Sequence, residues 1–348
     1  MWETDRKSQG LLVSALCVLI ISMAPRLLVH ITFHDSNVST VHGRPAGGSK
    51  GSLSWRDFAF DSVRRSLQEM ESASAGYSAF SRIDAVVDCN EENAYQERLR
   101  RWRADRPDGS RLSVRVASHA RDAMRHPFAL AWMHRAHVAA SLEQYDWFLN
   151  TEADTLVPGA AVAAQLALAS PLYERYGRIL GFVRAVNDTS GRTLLSDNTR
   201  SVGRAAVVSL SGLGTFVAPP NSFAAAWMYP RAVMTSFVRS RSWGPVPNSP
   251  KGMRERAAWG WRDGPAILTP VELIRGRLLG ELGVSCPLLI YHLGKSGRFY
   301  ERKGGHNILP AEQLVAECAT ITDARAKAAC SASERAMPVI EAKEQLEK

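Results

Sequence analysis

The order of its segments predicts an α/β protein with a mostly parallel central sheet. Three observations carry that expectation. Short β-branched or aromatic runs at 27–33, 83–87, 112–117 and 147–149 have strand length. Segments of helical apolar spacing separate them, which is the alternation that builds parallel strands with helical crossovers. Several of the runs end abruptly in polar residues: His34-Asp35, Asp88-Cys89-Asn90 and Glu152. Right-handed crossovers would bring those ends to one edge of the sheet, where ligands bind in open α/β folds.

The elements follow in order. The first strand, 27–33, leads into a Ser-, Gly- and Pro-rich loop over 36–54. Residues 55–72 carry Phe58, Val63, Leu67 and Met70 at helical spacing. After the 83–87 strand, 91–103 reads as a helix with acids first and bases last, the order the helix dipole favours. Residues 112–117 alternate as a strand, and 127–145 reads as a helix with Pro127 in its first turn. The next helix opens at Pro158 and runs to about 169. The second half is less regular. Strands are expected at 178–185, 205–210, 215–217 and 284–291, helices at 230–241, 254–261 and 271–282, and an exposed loop at 187–204. The tail 310–348 is polar, Ala-rich and helical in pattern.

The chain has 348 residues and a formal net charge of +9. That charge suits an anionic partner, either a membrane surface or a phosphorylated small molecule. Zinc-finger, RRM-like and basic-zipper signatures are absent, so no nucleic acid is expected. A Walker loop, a G-x-G-x-x-G turn after a strand and a G-x-S-x-G elbow are also absent, which disfavours ATPase, dinucleotide and serine-hydrolase chemistry. Residues 10–24 form an apolar run behind Arg6 and Lys7, shorter than the ~20 residues of a relaxed span. It reads as a signal anchor or signal peptide over 11–24 behind a short tail, 1–10, with Pro25 arguing against cleavage at Ala24. Sequons at Asn37 and Asn187 fit a lumenal chain. Beyond the apolar run, Cys89, Cys286, Cys318 and Cys330 permit disulfides in several pairings, or buried thiols.

The densest chemistry lies at the end of the 147–149 run. Glu152 and Asp154 are two residues apart, a spacing that puts both on one side of an extended segment. Hard carboxylate oxygens there suit Mg²⁺ or Mn²⁺, and such an ion grips a diphosphate. Far along the chain, His292-Leu293-Gly294-Lys295 follows another strand, and a neutral imidazole is a sound third ligand.

Trp147-Phe148-Leu149 followed by Glu152-Ala153-Asp154 resembles the central strand and acidic D-x-D motif of GT-A fold glycosyltransferases. The late His292-Leu293-Gly294-Lys295 resembles the H-x-G-x-x-K loop of several such families, with the lysine earlier than in that spacing. The chain departs from the acidic pattern at Glu152 and Ala153. A similar H-P-F…W-x-H-R helix, here His126-Pro127-Phe128 and Trp132-Met133-His134-Arg135, precedes the acidic strand in related sequences. The resemblance implies a GT-A-like domain over 27–300, Rossmann-like, with a membrane segment before it and a helical tail, 301–348, after it.

The function it implies is transfer of a sugar from a nucleotide-sugar donor to an acceptor hydroxyl on a glycan, protein or lipid. Mn²⁺ or Mg²⁺ would assist, held by Glu152, Asp154 and His292. His34, Asp35, Asp88 and Asn90 are candidates for the nucleotide. Lys295 and Arg298 are candidates for the diphosphate, and Arg135 for the diphosphate or as a brace of the acidic loop. Glu255 is the candidate base for the acceptor hydroxyl, with Asp263 behind it; Trp259 and Trp261 are candidates to stack on a sugar, or core residues. A single-pass type II protein of the Golgi or ER membrane follows from the anchor, and a secreted one if the segment is cleaved. Two other functions fit the same residues: a non-catalytic lumenal protein that binds glycans or partners, and a metal-dependent hydrolase.

Overall fold

A computed structural model describes residues 24–34, 55–72, 76–91, 93–104, 109–120, 127–187, 193–196, 206–211, 213–218, 223–244, 253–261, 267–270, 288–293 and 308–310. It is a mixed α/β fold around a central sheet of β1 (Arg26–Phe33), β2 (Arg82–Asn90), β3 (Leu112–His119), β4 (Trp147–Glu152) and β11 (Ala226–Pro230). The order is β11-β4-β1-β2-β3, with the first four strands parallel and β11 antiparallel at the edge. The chain builds outward from β1 to β2 to β3, then returns to lay β4 on the other side of β1. That reversal leaves a crevice between the carboxyl ends of β1 and β4, the place where open α/β sheets take their ligands.

Both faces of the sheet are covered, which explains why Leu27 to Ile31 are buried without alternation. On one face lie α1 (Trp55–Glu71) and α4 (Gly159–Tyr176). Phe60, Val63, Leu67 and Met70 of α1 pack with Val162 and Leu172 of α4 against Val29, Ile31, Ala85, Val87 and Leu149. On the other face, Leu28, Val86 and Phe148 meet Val138 of α3 (His134–Ala140) and Val233, Met234 and Phe237 of α5 (Arg231–Arg239). The remaining crossover helix, α2 (Gln96–Ala104), links β2 to β3. The helix α4 ends in an αL cap: Gly177 takes a left-handed φ of 58° and its N–H bonds the Tyr173 carbonyl at 2.8 Å.

The other described strands form two further sheets, one of which begins with β5 directly after the acidic end of β4. The strands β6 (Ile179–Leu180), β9 (Ala206–Leu210), β10 (Gly214–Ala218) and β12 (Ile267–Pro270) form one, in the order β6-β12-β10-β9. The other contains β5 (Thr155–Leu156), β7 (Val183–Asn187), β8 (Thr193–Ser196), β13 (Leu289–His292) and β14 (Ile308–Pro310), in the order β14-β8-β7-β13-β5.

Several expectations are corrected. The helix expected over 127–145 is broken into a 3₁₀ turn (Pro127–Trp132), α3, and a second 3₁₀ turn (Leu142–Gln144). The Ser141 N–H bonds Val138 and the Gln144 N–H bonds Ser141, a tightening that lets the chain swing into β4. The strand expected at 178–185 is two strands, because the chain leaves one small sheet after Leu180 and enters the other at Val183. The 187–204 loop contains β8, and β12 was not expected. No helix among the described residues is long and apolar enough to cross a membrane. The apolar run up to residue 23, the 271–282 helix and the tail beyond 310 lie outside the described residues. So do Cys286, Cys318 and Cys330, while Cys89 is fully buried in the core.

Where α4 begins, the chain packs closely. The Glu69 carboxylate accepts the Gly159 N–H at 2.9 Å, and Gly76 abuts the same turn. A β-carbon on Gly76 would overlap the Gly159 carbonyl oxygen and lie 2.6 Å from the Ala163 nitrogen. Gly76→Ala is therefore expected to lower stability by about 2 kcal/mol, the middle of the usual range for overpacking. Urea denaturation checks it, and an unchanged midpoint would show that this turn yields at no cost.

Candidate functional site

The site is built by a two-residue link. The strand β4 ends at Glu152, Ala153 and Asp154 form a turn, and β5 begins at Thr155. Pairing continues to the tip: Glu152 is in register with Thr32, and the Ala153 N–H bonds the Thr32 carbonyl at 2.9 Å. On the outer side the Glu152 N–H bonds the carbonyl of Ala225 at 3.3 Å. Ala225 is buried with a left-handed φ of 59°, which costs roughly 1 kcal/mol in a residue with a β-carbon.

The strand β13 then docks antiparallel on β5, with His292 opposite Thr155 and Tyr291 opposite Leu156. The Leu293 N–H donates to the Asp154 carbonyl at 2.7 Å. This register carries His292 Nε2 to 3.0 Å from Asp154 Oδ2, across 138 positions of sequence. Both side chains keep some access to solvent, at 12% and 14%. Thr155 Oγ1 lies 3.4 Å from the other oxygen, Asp154 Oδ1. An imidazole and a carboxylate oxygen so placed fit a divalent cation of the Mn²⁺ or Mg²⁺ type. Such ions take one or two carboxylates from the protein and complete their shell with phosphate and water.

Glu152 does not complete a trio. Among the described residues no three His, Cys, Asp or Glu side chains converge to hold a metal ion. The i, i+2 rule places side chains together only in extended chain, and the turn at Ala153–Asp154 ends that geometry. Of the other candidates, His34 lies at the end of β1 beside the crevice, half-buried. Asp35, Asp263, Lys295 and Arg298 fall outside the described residues, and the side chain of Glu255 does too. The helix that carries Glu255, α6 (Met253–Ala258), is placed: Met253 and Ala257 pack on Ala129 to Trp132, and Trp132 Nε1 donates to the Met253 carbonyl at 2.9 Å. Trp261 stacks on Phe237, and Trp259 lies edge-on to Phe223.

Arg135 is a brace, though not of the acidic loop. It is buried, and its Nη1 donates to the carbonyls of Ser242 at 2.9 Å and Trp243 at 2.5 Å. Its guanidinium lies over the Trp132 and Trp243 rings. Burial pushes its pKa down to about 9. Asp88 is likewise turned inward. It is 2% exposed, and its two oxygens accept from His30 Nδ1 at 2.6 Å and His119 Nε2 at 2.8 Å. Asn90 is buried at the same strand end, and its carbonyl accepts from Gln96 Nε2 at 2.9 Å.

Sequence reasoning missed this polar face. His30, Asp88 and His119 come from three neighbouring strands, and α3 sets His134 and His137 against them. The one signal was His30 itself, an ionisable residue in the middle of an otherwise apolar buried strand. Burial alone would raise the Asp88 pKa, but the charges and hydrogen bonds of His30 and His119 outweigh it and hold the carboxyl well below the usual range. Burial lowers His134 and His137, helped for both by the charge of His30 and then by Arg135 and Arg115 respectively.

Comparison with known proteins adds little. No family model matches the chain, and no curated protein matches it. Among solved structures, the apo structure of the WbbM bifunctional glycosyltransferase overlays with a TM-score of 0.34 and 14% identity. The overlay covers 70% of this chain and 38% of that one, so the chain spans well under half of that protein.

The neutral histidines set a pH dependence. Their pKa values are lowered in the folded state, so below about pH 6.5 the unfolded chain binds more protons and stability falls with pH. Above that pH both states are neutral and this contribution is flat. Asp88 adds a loss of the same sign further down, as pH drops below about 4. Denaturant midpoints measured from pH 7.5 to 5 should decline, and His134→Phe should make the decline shallower. Equal slopes in the two proteins would show that His134 is not held neutral.

Proposed function

We propose that this chain is a metal-assisted glycosyltransferase that moves a sugar from a nucleotide-sugar donor to an acceptor hydroxyl. One observation carries the proposal: Asp154 and His292, distant in sequence, meet at 3.0 Å beside the crevice where the strand order reverses. An anionic, diphosphate-bearing donor also suits a chain of net charge +9.

In this account Asp154 Oδ2 and His292 Nε2 hold Mn²⁺ or Mg²⁺. When bound, the ion supplies Lewis-acid neutralisation of charge on the departing diphosphate. The Leu293–Asp154 backbone bond and the β5–β13 pairing keep the two side chains in register before any ligand arrives, so little ordering remains to be done. Lys295 and Arg298, just beyond β13, contribute positive charge to the same leaving group. His34 flanks the crevice and, with Asp35, would contact the nucleotide, while the buried Asp88 and Asn90 support the strand ends from within. Glu255, on α6, would take the proton of the attacking hydroxyl. A type II membrane-anchored protein of the Golgi or ER belongs to the same proposal, resting on the 10–24 run and the two sequons.

A panel of nucleotide-sugars with Mn²⁺, assayed for hydrolysis and for transfer to glycan, protein and lipid acceptors, tests it. One donor should be turned over, and Asp154→Asn or His292→Ala should each reduce turnover about 100-fold without unfolding the chain. Turnover only to free sugar, whatever acceptor is supplied, would make the protein a hydrolase. Binding of glycans with no turnover of any donor would make it a non-catalytic lectin-like protein.

A further inference from the structure

The second face of the central sheet holds ionisable groups that the proposed reaction does not use. A chain of hydrogen bonds runs across it. Arg115 Nη2 lies 3.3 Å from His137 Nε2, and His137 Nδ1 lies 2.9 Å from His30 Nε2. His30 Nδ1 lies 2.6 Å from Asp88 Oδ2, and Asp88 Oδ1 lies 2.8 Å from His119 Nε2. Each packed element contributes: His30 from β1, Asp84 and Asp88 from β2, Arg115 and His119 from β3, and His134, Arg135 and His137 from α3. Asp84 is already engaged, by Arg82 at 2.8 Å and by the Tyr145 hydroxyl at 2.9 Å. The buried ring of His134 sits 5.8 Å from that of His30, and neither of its nitrogens closes a hydrogen bond of good geometry.

Donor and acceptor roles follow from the carboxylate. Ionised Asp88 only accepts, so His30 presents Nδ1–H and His119 presents Nε2–H. A neutral His30 then offers a lone pair at Nε2. His137 must supply Nδ1–H to it, and the His137 Nε2 lone pair accepts from Arg115. One added proton leaves the His30–His137 bond in place, because it sits on His137 Nε2 and one N–H still faces one lone pair; the exposed Arg115 side chain then loses its acceptor and turns to water. A second is not: both facing nitrogens then carry hydrogens, and the 2.9 Å contact becomes repulsive. Charge balance agrees, since the Asp88 carboxylate within the chain offsets one positive charge while Arg115 and Arg135 are already cationic.

We propose that α3 is a proton-operated latch, docked on the sheet while the His30–His137 pair carries at most one added proton and released when the pair takes a second. Burial already disfavours charge on His134 and His137, so release relieves both of them. The neighbours of α3 make release consequential. Arg135 holds the Ser242 and Trp243 carbonyls, and the preceding Trp132 holds Met253 at the start of α6. Lifting α3 loosens α6, the helix that carries Glu255. The effect on sugar transfer rests on the proposed function, whereas release of α3 does not.

Hydrogen exchange followed by mass spectrometry on the full chain, corrected for intrinsic rates, tests the latch without any substrate. Between pH 7 and pH 5 the amides of α3 and α6 should lose about tenfold in protection relative to β1 and β2. In His137→Asn a side-chain amide replaces Nδ1–H as donor and takes no proton, so the loss of protection at pH 5 should shrink to the part that His134 contributes. Constant protection in the natural chain, or the same loss in His137→Asn, would overturn the proposal. Should the variant fail to fold, ¹⁵N imidazole titration of the natural chain decides. Loss of protection must follow the second proton on the pair, and loss while both rings are neutral or at the first step would sink the idea.

Discussion

The candidate site depends on one backbone contact, the antiparallel pairing of β13 with β5. Two residues of β5 follow the acidic turn directly, so whatever pairs with β5 is delivered to Asp154. A register shift of one residue would send the His292 side chain to the opposite face of its strand. The 2.7 Å bond from the Leu293 amide to the Asp154 carbonyl pins that register from one side, and the parallel pairing of β13 with β7 pins it from the other. A 3.0 Å meeting of side chains is thus a consequence of main-chain geometry, which is stiffer than any pair of rotamers.

The central sheet treats its two faces differently. Toward α1 and α4 it is apolar from end to end, and this face supplies most of the burial that holds β1, β2 and β4 in place. Toward α3 and α5 it is mixed: Leu28, Val86 and Phe148 share the face with Asp84, and His30, Asp88 and His119 gather toward the carboxyl ends. Buried polar groups contribute specificity only when they are satisfied. Asp88 is, with both oxygens bonded, and this secures the ends of β1, β2 and β3 against one another. The crevice at the strand reversal therefore sits on a frame whose apolar side gives stability and whose polar side fixes strand ends.

The parallel half of the fold was legible because its signals are local. The strands β1 to β4 and the helix α1 lie within a few residues of where apolar spacing puts them. The broken helix before β4 was not, since nothing in the apolar pattern of 127–145 marks the 3₁₀ turns at its two ends. The meeting of Asp154 and His292 was expected by resemblance and chain order, yet composition and spacing alone could not have supplied it, because β13 pairing is non-local. Glu152 fell away for a reason visible only in three dimensions, the turn at Ala153. Arg135 and Asp88 were chosen as polar residues near functional ends, but burial turned one toward backbone carbonyls and the other toward two imidazoles. Sequence shows which residues can ionise; which way they face is set by packing.

A crystal of the full chain grown with Mn²⁺ and soaked with nucleoside diphosphates gives the most direct measurement. Anomalous scattering locates the metal independently of any activity. The account predicts a Mn²⁺ peak at coordination distance, about 2.0–2.2 Å, from Asp154 Oδ2 and His292 Nε2, with diphosphate oxygens completing its shell. A nucleotide bound elsewhere on the molecule, or a metal bound away from Asp154 and His292, would contradict it.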